Sequence, residues 1–257
     1  MLSFIGCRKK DCKINMDLNL SISNISKTYN SKKALNNCSF AFEKGNIYCI
    51  VGPNGSGKST LLRISALLEE ADNGNVAYKN GDNLLDDSTD LRRKITLVFP
   101  RGGLFNTTVF KNCAYGLNLR RKDKGYIKEK VEESLKEVGL VRKMEQNALT
   151  LSSGEAQRLA LARAIVLEPD VLFLDEPTAS LDPASVIIIE KIINMLKKKR
   201  HMIIVMATHN MFQVQRLADE VIFLYNGEVV ETANVKDFFE NPKDERTLKF
   251  INGEMIY

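Results

Sequence analysis

A short run, Gly52-Pro53-Asn54-Gly55-Ser56-Gly57-Lys58-Ser59-Thr60, sets its glycines, lysine and hydroxyls at the spacing G-x-x-x-x-G-K-[ST]. It follows the apolar stretch Ile47 to Val51 and opens a helical pattern running from about Lys58 to Leu68. Gly55 and Gly57 let the backbone turn tightly enough to aim its N–H groups at phosphate oxygens. The helix start adds unsatisfied donors and the positive end of its dipole. Lys58 is placed to reach β- and γ-phosphates, and the Ser59 hydroxyl to ligand Mg²⁺. This chemistry binds a nucleoside triphosphate. By itself the loop fits kinases, GTPases and helicases equally well.

Two further places carry groups that could act on such a ligand. The apolar strand pattern Val171-Leu172-Phe173-Leu174 ends in Asp175 and Glu176. Asp175 would hold Mg²⁺ through its hydration shell, and Glu176 would orient and deprotonate an attacking water. His209 follows the apolar stretch Met202 to Ala207, at a strand tip from which it could reach a γ-phosphate. A solvated histidine with no role is the alternative. Leu151-Ser152-Ser153-Gly154-Glu155-Ala156-Gln157 opens another helix, whose serines can cap it and leave free N–H groups for an anion.

The elements that must position these groups read as a mostly parallel sheet flanked by helices. Leu18, Leu20, Ile22 and Ile25 alternate as in a strand, and a second extended piece runs through Cys38 to Phe42. Polar turns at Asp72-Asn73-Gly74 and Asn80-Gly81-Asp82 are expected to bound a short hairpin, with a further strand in Arg92 to Phe99. Ile127, Val131, Leu135 and Val138 recur at helical spacing inside a segment read as helical from Asn112 to Met144. Ser152 to Glu168 is expected as one long helix stopped by Pro169, and Ser185 to Lys199 as another. Val171 to Leu174, Met202 to Ala207 and Val221 to Tyr225 complete the buried strands.

At 257 residues, 44% hydrophobic and 27% charged, the chain suits one globular domain with an embedded subdomain. A net charge of +5 is too diffuse for a duplex-binding stripe, and the run Lys197 to Arg200 reads as a solvated helix end, so no nucleic-acid partner is expected. Cys7, Cys12, Cys38, Cys49 and Cys113 form no Cys-x-x-Cys pair and suit reduced thiols. No stretch of about 18 apolar residues is present, so a membrane role needs a partner chain. Residues 1–16 read as a disordered N-terminal extension, in which Met16 could be the true start and Cys7 a lipid-attachment site.

From about Asp17 onward the chain resembles the ABC transporter ATPases along nearly its whole length. The resemblance implies a P-loop NTPase core of α/β class with an N-terminal antiparallel β layer and an inserted α-helical subdomain at about 102–168. It also implies Walker A at 52–60, the signature at 151–155, Walker B at 171–176, the D-loop at Ser180-Leu181-Asp182 and the switch histidine at His209. Tyr29 matches the aromatic residue that stacks on adenine, although it could equally be a half-buried strand tyrosine. Ser152 and Gly154 would contact the γ-phosphate; Ser153 stands where glycine is usual and Glu155 where glutamine is common. Pro100 replaces the glutamine expected after the strand ending Leu97-Val98-Phe99. Since one chain carries one signature and one Walker A, a head-to-tail homodimer with two composite ATP sites is implied.

The gap between Walker A and the signature is too short for the coiled coil of chromosome-maintenance ATPases. The single cassette differs from two-cassette translation factors, and fused exporter helices are absent. The resemblance therefore implies an importer subunit on the cytoplasmic face of the membrane, working with separate permease chains and a substrate-binding protein. The stretches Leu104 to Asn112 and Ala207 to Gln213 look closest to tungstate importers, and the close from Phe239 to Glu254 looks like phosphate and tungstate importers. Tungstate is the expected cargo, with phosphate or another oxyanion as the alternative.

Overall fold

The continuous apolar runs become strands that are apolar on both faces because both faces are covered. The structure is a computed structural model describing residues 18–100 and 103–254; the expectations for residues 1–16 and for Cys7 and Cys12 lie outside it. The larger sheet is built from β3 (Ile47–Val51), β6 (Ile95–Val98), β7 (Val171–Asp175), β8 (Ile203–Ala207), β9 (Glu220–Tyr225) and β10 (Glu228–Asn234). Its spatial order is β10-β9-β3-β8-β7-β6, with every pairing parallel except the β9–β10 edge.

Successive residues along the central strands feed two different cores. Cys49, Leu172, Leu174, Met206 and Phe223 join one cluster. Their chain neighbours Ile50, Phe173, Val205 and Leu224 join the other. This is the period-2 side-chain alternation of a strand applied to a sheet with no wet face.

The first core is covered by α3 (Val109–Leu119), α4 (Lys124–Glu137), α5 (Ser153–Ile165) and α6 (Pro183–Arg200). The second is covered by α1 (Lys58–Ser65) and by a four-stranded antiparallel sheet of order β2-β1-β4-β5. That sheet holds β1 (Leu18–Tyr29), β2 (Lys32–Phe42), β4 (Asn73–Asn80) and β5 (Asn83–Leu84). A short helix α2 (Thr89–Arg92) precedes β6, and α7 (Met211–Leu217), α8 (Val235–Glu240) and α9 (Glu245–Ile251) close the chain.

Several expected boundaries are corrected. The segment from Asn112 to Met144 is two helices, because Arg121 is left-handed and the Asp123 carboxylate accepts from the amides of Gly125 and Tyr126 to start a new one. The pattern ending at Leu68 stops helically at Ser65, with Leu67 left-handed. The helix opening after Ser152 ends at Ile165, and Glu168 is left-handed ahead of Pro169. The polar turns flank β4, whose main partner is β1, with only the two-residue β5 completing the hairpin. The basic end of α6 is paired as well as solvated: Lys199 meets Glu133 and Glu137, Arg200 meets Glu137, and Lys197 meets Asp219.

Candidate functional site

The parallel register places the chemistry of three distant sequence segments side by side. Strands β3, β8 and β7 are adjacent, so the loops leaving their C-terminal ends converge, which is where open α/β sheets bind ligands. The loop after β3 is residues 52–57. Two of its glycines cannot be replaced: a Cβ on Gly52 would lie 2.0 Å from the Leu224 carbonyl oxygen, and one on Gly57 2.5 Å from that of Ala34. Both have positive φ, 148° and 106°. Gly57 is also the N-cap of α1. Pro53, Asn54 and Gly55 form the outer turn, with Asn54 and Gly55 exposed.

Lys58 is buried and donates to the carbonyl oxygens of Gly52 and Pro53, both at 2.8 Å. Burial pushes its pKa below the usual lysine value, while the nearby Glu176 and Asp175 pull the other way. The ammonium thus waits inside its own loop. The Ser56 hydroxyl is buried with no hydrogen-bond partner, an orphan that a phosphate oxygen would satisfy. Thr60, next to Ser59 on α1, is buried, and its hydroxyl lies 3.3 Å from the Arg63 guanidinium.

Ser59 Oγ donates to Asp175 Oδ1 at 3.0 Å, joining α1 to the tip of β7. A hydroxyl and a carboxylate oxygen together are a hard-oxygen donor pair of the kind Mg²⁺ takes, the remaining positions being left to water and phosphate. Glu176, one residue past β7, has φ 46°. A non-glycine residue there is uncommon, and the conformation is held by its amide donating to the Ala207 carbonyl at 3.0 Å. His209 leaves the end of β8, and its Nδ1 lies 2.8 Å from Glu176 Oε1. Since an ionised carboxylate can only accept, Nδ1 carries the proton and Nε2 is the nitrogen left free.

The signature residues stand apart from this centre. Ser152 caps α5 by accepting from the Glu155 amide at 3.3 Å, and the Glu155 carboxylate accepts in return from the Ser152 amide at 3.1 Å. Lys143 at 2.6 Å holds the Glu155 carboxyl below its usual pKa. Glu155 is therefore committed to its own helix start, and Ser153 is the first helical residue. No hydrogen bond among the described residues joins Ser152, Ser153, Gly154 or Glu155 to residues 52–60. Gly154 instead presses on α6, where a Cβ would come within 2.2 Å of Ser185 Oγ. Ser185 Oγ donates to Asp182 at 2.6 Å, and Asp182 caps α6 through the Ser185 amide at 3.0 Å. Signature and D-loop form one packed unit.

Tyr29, at the end of β1, is 38% exposed. Its hydroxyl donates to Glu69, and Arg63 bridges it to the phosphate-loop helix, 3.4 Å from the phenol oxygen and 3.0 Å from Glu69. Pro100 is exposed two residues past β6, whose last residue Val98 pairs with Leu174 beside Asp175. Sequence reasoning missed Arg63 and Glu69 behind Tyr29, and missed Thr178, Thr208 and Gln213 behind Glu176 and His209. The available signal for Gln213 was a polar residue beside Val214, on the face that Val214 and Leu217 bury.

Fold and site together define a nucleotide-binding α/β protein of the phosphate-loop type. Comparison narrows the class. The ABC transporter family model matches residues 35–179, more than half of the chain. The chain is 41% identical over 214 residues to a tungstate uptake system ATP-binding protein of Peptoclostridium acidaminophilum, covering 83% of this chain and 98% of that protein. It is 38% identical over 250 residues to a phosphate import ATP-binding protein of Natronomonas pharaonis, covering 93% and 88%. Among solved structures it matches cbiO1 of Clostridium perfringens, part of the ABC transporter complex cbiONQ, with TM-score 0.79 and 30% identity over 90% of this chain and 94% of that one. The dimeric structure of a bacterial ABC transporter cassette matches with TM-score 0.75 and 29% identity, covering 84% and 98%. This chain belongs to the ABC transporter family, as one of its ATPases. No helix among the described residues is long and apolar enough to cross a membrane.

Proposed function

We propose that this chain is the ATP-binding and ATP-hydrolysing subunit of an importer, powering uptake of an oxyanion through separate permease chains, with tungstate as the cargo. The observation that carries the reading is the convergence of Lys58, Ser59, Asp175, Glu176 and His209 at the ends of adjacent strands. Tyr29 would stack on the base, and backbone N–H groups between Asn54 and Thr60, with Lys58, would hold the phosphates. Ser59 and Asp175 would hold Mg²⁺, which when bound neutralises charge on the phosphate oxygens. Glu176 takes the proton of the attacking water, and His209, fixed through Nδ1, presents its other nitrogen toward the terminal phosphate. Hydrolysis at that phosphate needs little covalent help from protein, so positioning and electrostatics carry the rate.

Ser152 and Gly154 are engaged with their own helix start and with Ser185, and no hydrogen bond among the described residues joins them to residues 52–60. This supports a head-to-tail homodimer in which Asp182 and the signature of one copy close over the nucleotide of the other. We assign residues 17–257 to the nucleotide-binding domain, with its helical subdomain at about 102–168 and residues 1–16 as an extension. The subunit would sit on the cytoplasmic face of the membrane through its permease, supplied by a substrate-binding protein. Tungstate is favoured by the higher identity of the tungstate relative, and phosphate by the longer share of chain its relatives match.

The test is reconstitution with the genomic permease and binding protein in vesicles. Tungstate should stimulate ATP hydrolysis more than phosphate or sulfate does. Stimulation by phosphate alone would replace tungstate with the second reading.

A further inference from the structure

Behind the hydrolytic centre lies a polar network that touches no ligand-facing group, yet ends on both loops that carry one. Gln213, on the first turn of α7, is completely buried, and Thr208 is 1% exposed. Gln213 Oε1 accepts from two hydroxyls at the same distance, 3.2 Å: Thr178 and Thr208. Thr178 is two residues past Glu176, and Thr208 immediately precedes His209. Glu190 fixes the amide's orientation: the atom facing a carboxylate must be the nitrogen, which leaves the oxygen to accept from the two hydroxyls. That nitrogen donates to Glu190 Oε1 at 3.4 Å, and Glu190, itself buried, is clamped by Arg216 at 2.8 and 2.6 Å.

The remaining bonds leave the two loops few alternatives. Thr208 Oγ1 also accepts from the Asn210 amide at 3.1 Å, and Asn210 Oδ1 accepts from the Gln213 amide at 3.1 Å. His209 therefore sits between two residues that Gln213 fixes. On the other side, Ala179 donates to the Glu176 carbonyl at 3.1 Å, so the tether at Thr178 closes a small turn around the left-handed Glu176. Both lone pairs of one carboxamide oxygen are used, one on each loop. Neither loop can move alone without giving up a buried hydrogen bond to Gln213, and such bonds are costly to lose.

We infer that Gln213 is a positioning residue of the hydrolytic centre: its carboxamide ties the Glu176 loop to the His209 loop and sets their separation. The inference rests on the ATPase reading given above. A core glutamine that merely fills space would affect folding and nucleotide binding together. A tether would affect the rate of the bound complex and leave binding alone.

The experiment is steady-state ATP hydrolysis by the full chain, with nucleotide affinity measured separately by a fluorescent ATP analogue. The variants are Gln213→Met, Thr178→Val, Thr178→Ser, Thr208→Val and the Gln213→Met/Thr178→Val pair. The two valine variants and Gln213→Met should each lose about tenfold in kcat, with KM and analogue affinity within about twofold of the parent. The pair should lose little more than either single change, since both cut one tether. Thr178→Ser, which keeps the hydroxyl, should restore most of the rate. Unchanged kcat in folded Thr178→Val and Thr208→Val would overturn the tether, as would losses in KM that track losses in kcat. A parent protein that binds nucleotide and hydrolyses none would fail the ATPase reading first and take the tether with it; an active parent with indifferent variants fails the tether alone.

Discussion

His209 and Glu176 meet across the ends of neighbouring parallel strands, Nδ1 to Oε1 at 2.8 Å, although 33 positions separate them in the chain. The contact exists because β7 and β8 pair in register from Val171–Ile203 to Asp175–Ala207, which delivers the two loops to the same height. A one-residue slip would turn one of them to the opposite face.

Glu176→Gln should bind ATP with the parent's affinity and lose hydrolysis by about a hundredfold or more, the usual range for removing a general base. If ATP joins two copies as proposed, the variant should also accumulate as an ATP-dependent dimer, because the nucleotide is no longer consumed. Light scattering against ATP concentration tests this, and a monomer at every concentration would count against the composite site.

Lys58→Met removes a buried ammonium whose hydrogen bonds, among the described residues, go to the Gly52 and Pro53 carbonyls. The variant without nucleotide should melt no lower than the parent, and it should lose the thermal shift that Mg-ATP gives the parent. The sign with pH follows from the lowered pKa. The folded parent sheds this proton at a lower pH than the unfolded chain does, so the unfolded state binds more protons in that window. The parent should therefore gain stability relative to Lys58→Met as pH rises from the lowered pKa toward the ordinary lysine range. Calorimetry across that window checks the direction.

Tyr29 is anchored by Glu69 and Arg63, and the anchor matters if its ring stacks on adenine. Tyr29→Ala should raise KM for ATP by roughly tenfold, in line with about 1–3 kcal/mol for base–aromatic stacking. Tyr29→Phe and Glu69→Gln should each raise it only a few-fold and be non-additive together. None of the three should weaken inorganic triphosphate as a competitor, since it has no base; weakening there would move Tyr29 out of the base site.

The resemblance to the family implies a glutamine where Pro100 stands, whose carboxamide would reach Mg²⁺ and the attacking water. Pro100→Gln should raise the hydrolysis rate severalfold, since a lost positioning contact costs about 1–2 kcal/mol. Phosphate release at saturating Mg-ATP compares the two. Equal rates mean the position does not limit hydrolysis, and a slower variant makes the proline a working part.

What was legible in the sequence was what local rules control. The loop from Gly52 to Thr60 carries its conformation in its glycines, and the short apolar runs ending at Val51, Leu174 and Ala207 read as covered strands from their length and flanking turns. The break at Arg121 was hidden because the apolar spacing continues across it, while the Asp123 cap that decides the matter looks like any helix-surface acid. The edge strand β10 was missed because Glu228 to Asn234 is polar on one side and earns its place only by pairing with β9. The Gln213 network was invisible for a different reason: its partners are 35 and 5 positions away, and only the folded sheet brings them to one oxygen.

Helix α6 is fastened to α4 by three ion pairs of unequal depth, Lys199 to Glu133 and Glu137 and Arg200 to Glu137. Arg200 reaches Glu137 where both side chains are sheltered, whereas Lys199 and Glu133 are 51% and 43% exposed. Dissolved salt screens the outer pair within a Debye length of about 8 Å at physiological ionic strength and hardly reaches the inner one. The join therefore behaves as a pinned clasp: concentrated electrolyte loosens its outer catch while the inner pin keeps the layer in register. Ionic strength thus weakens the exposed part of this seam and leaves the sheltered part in place.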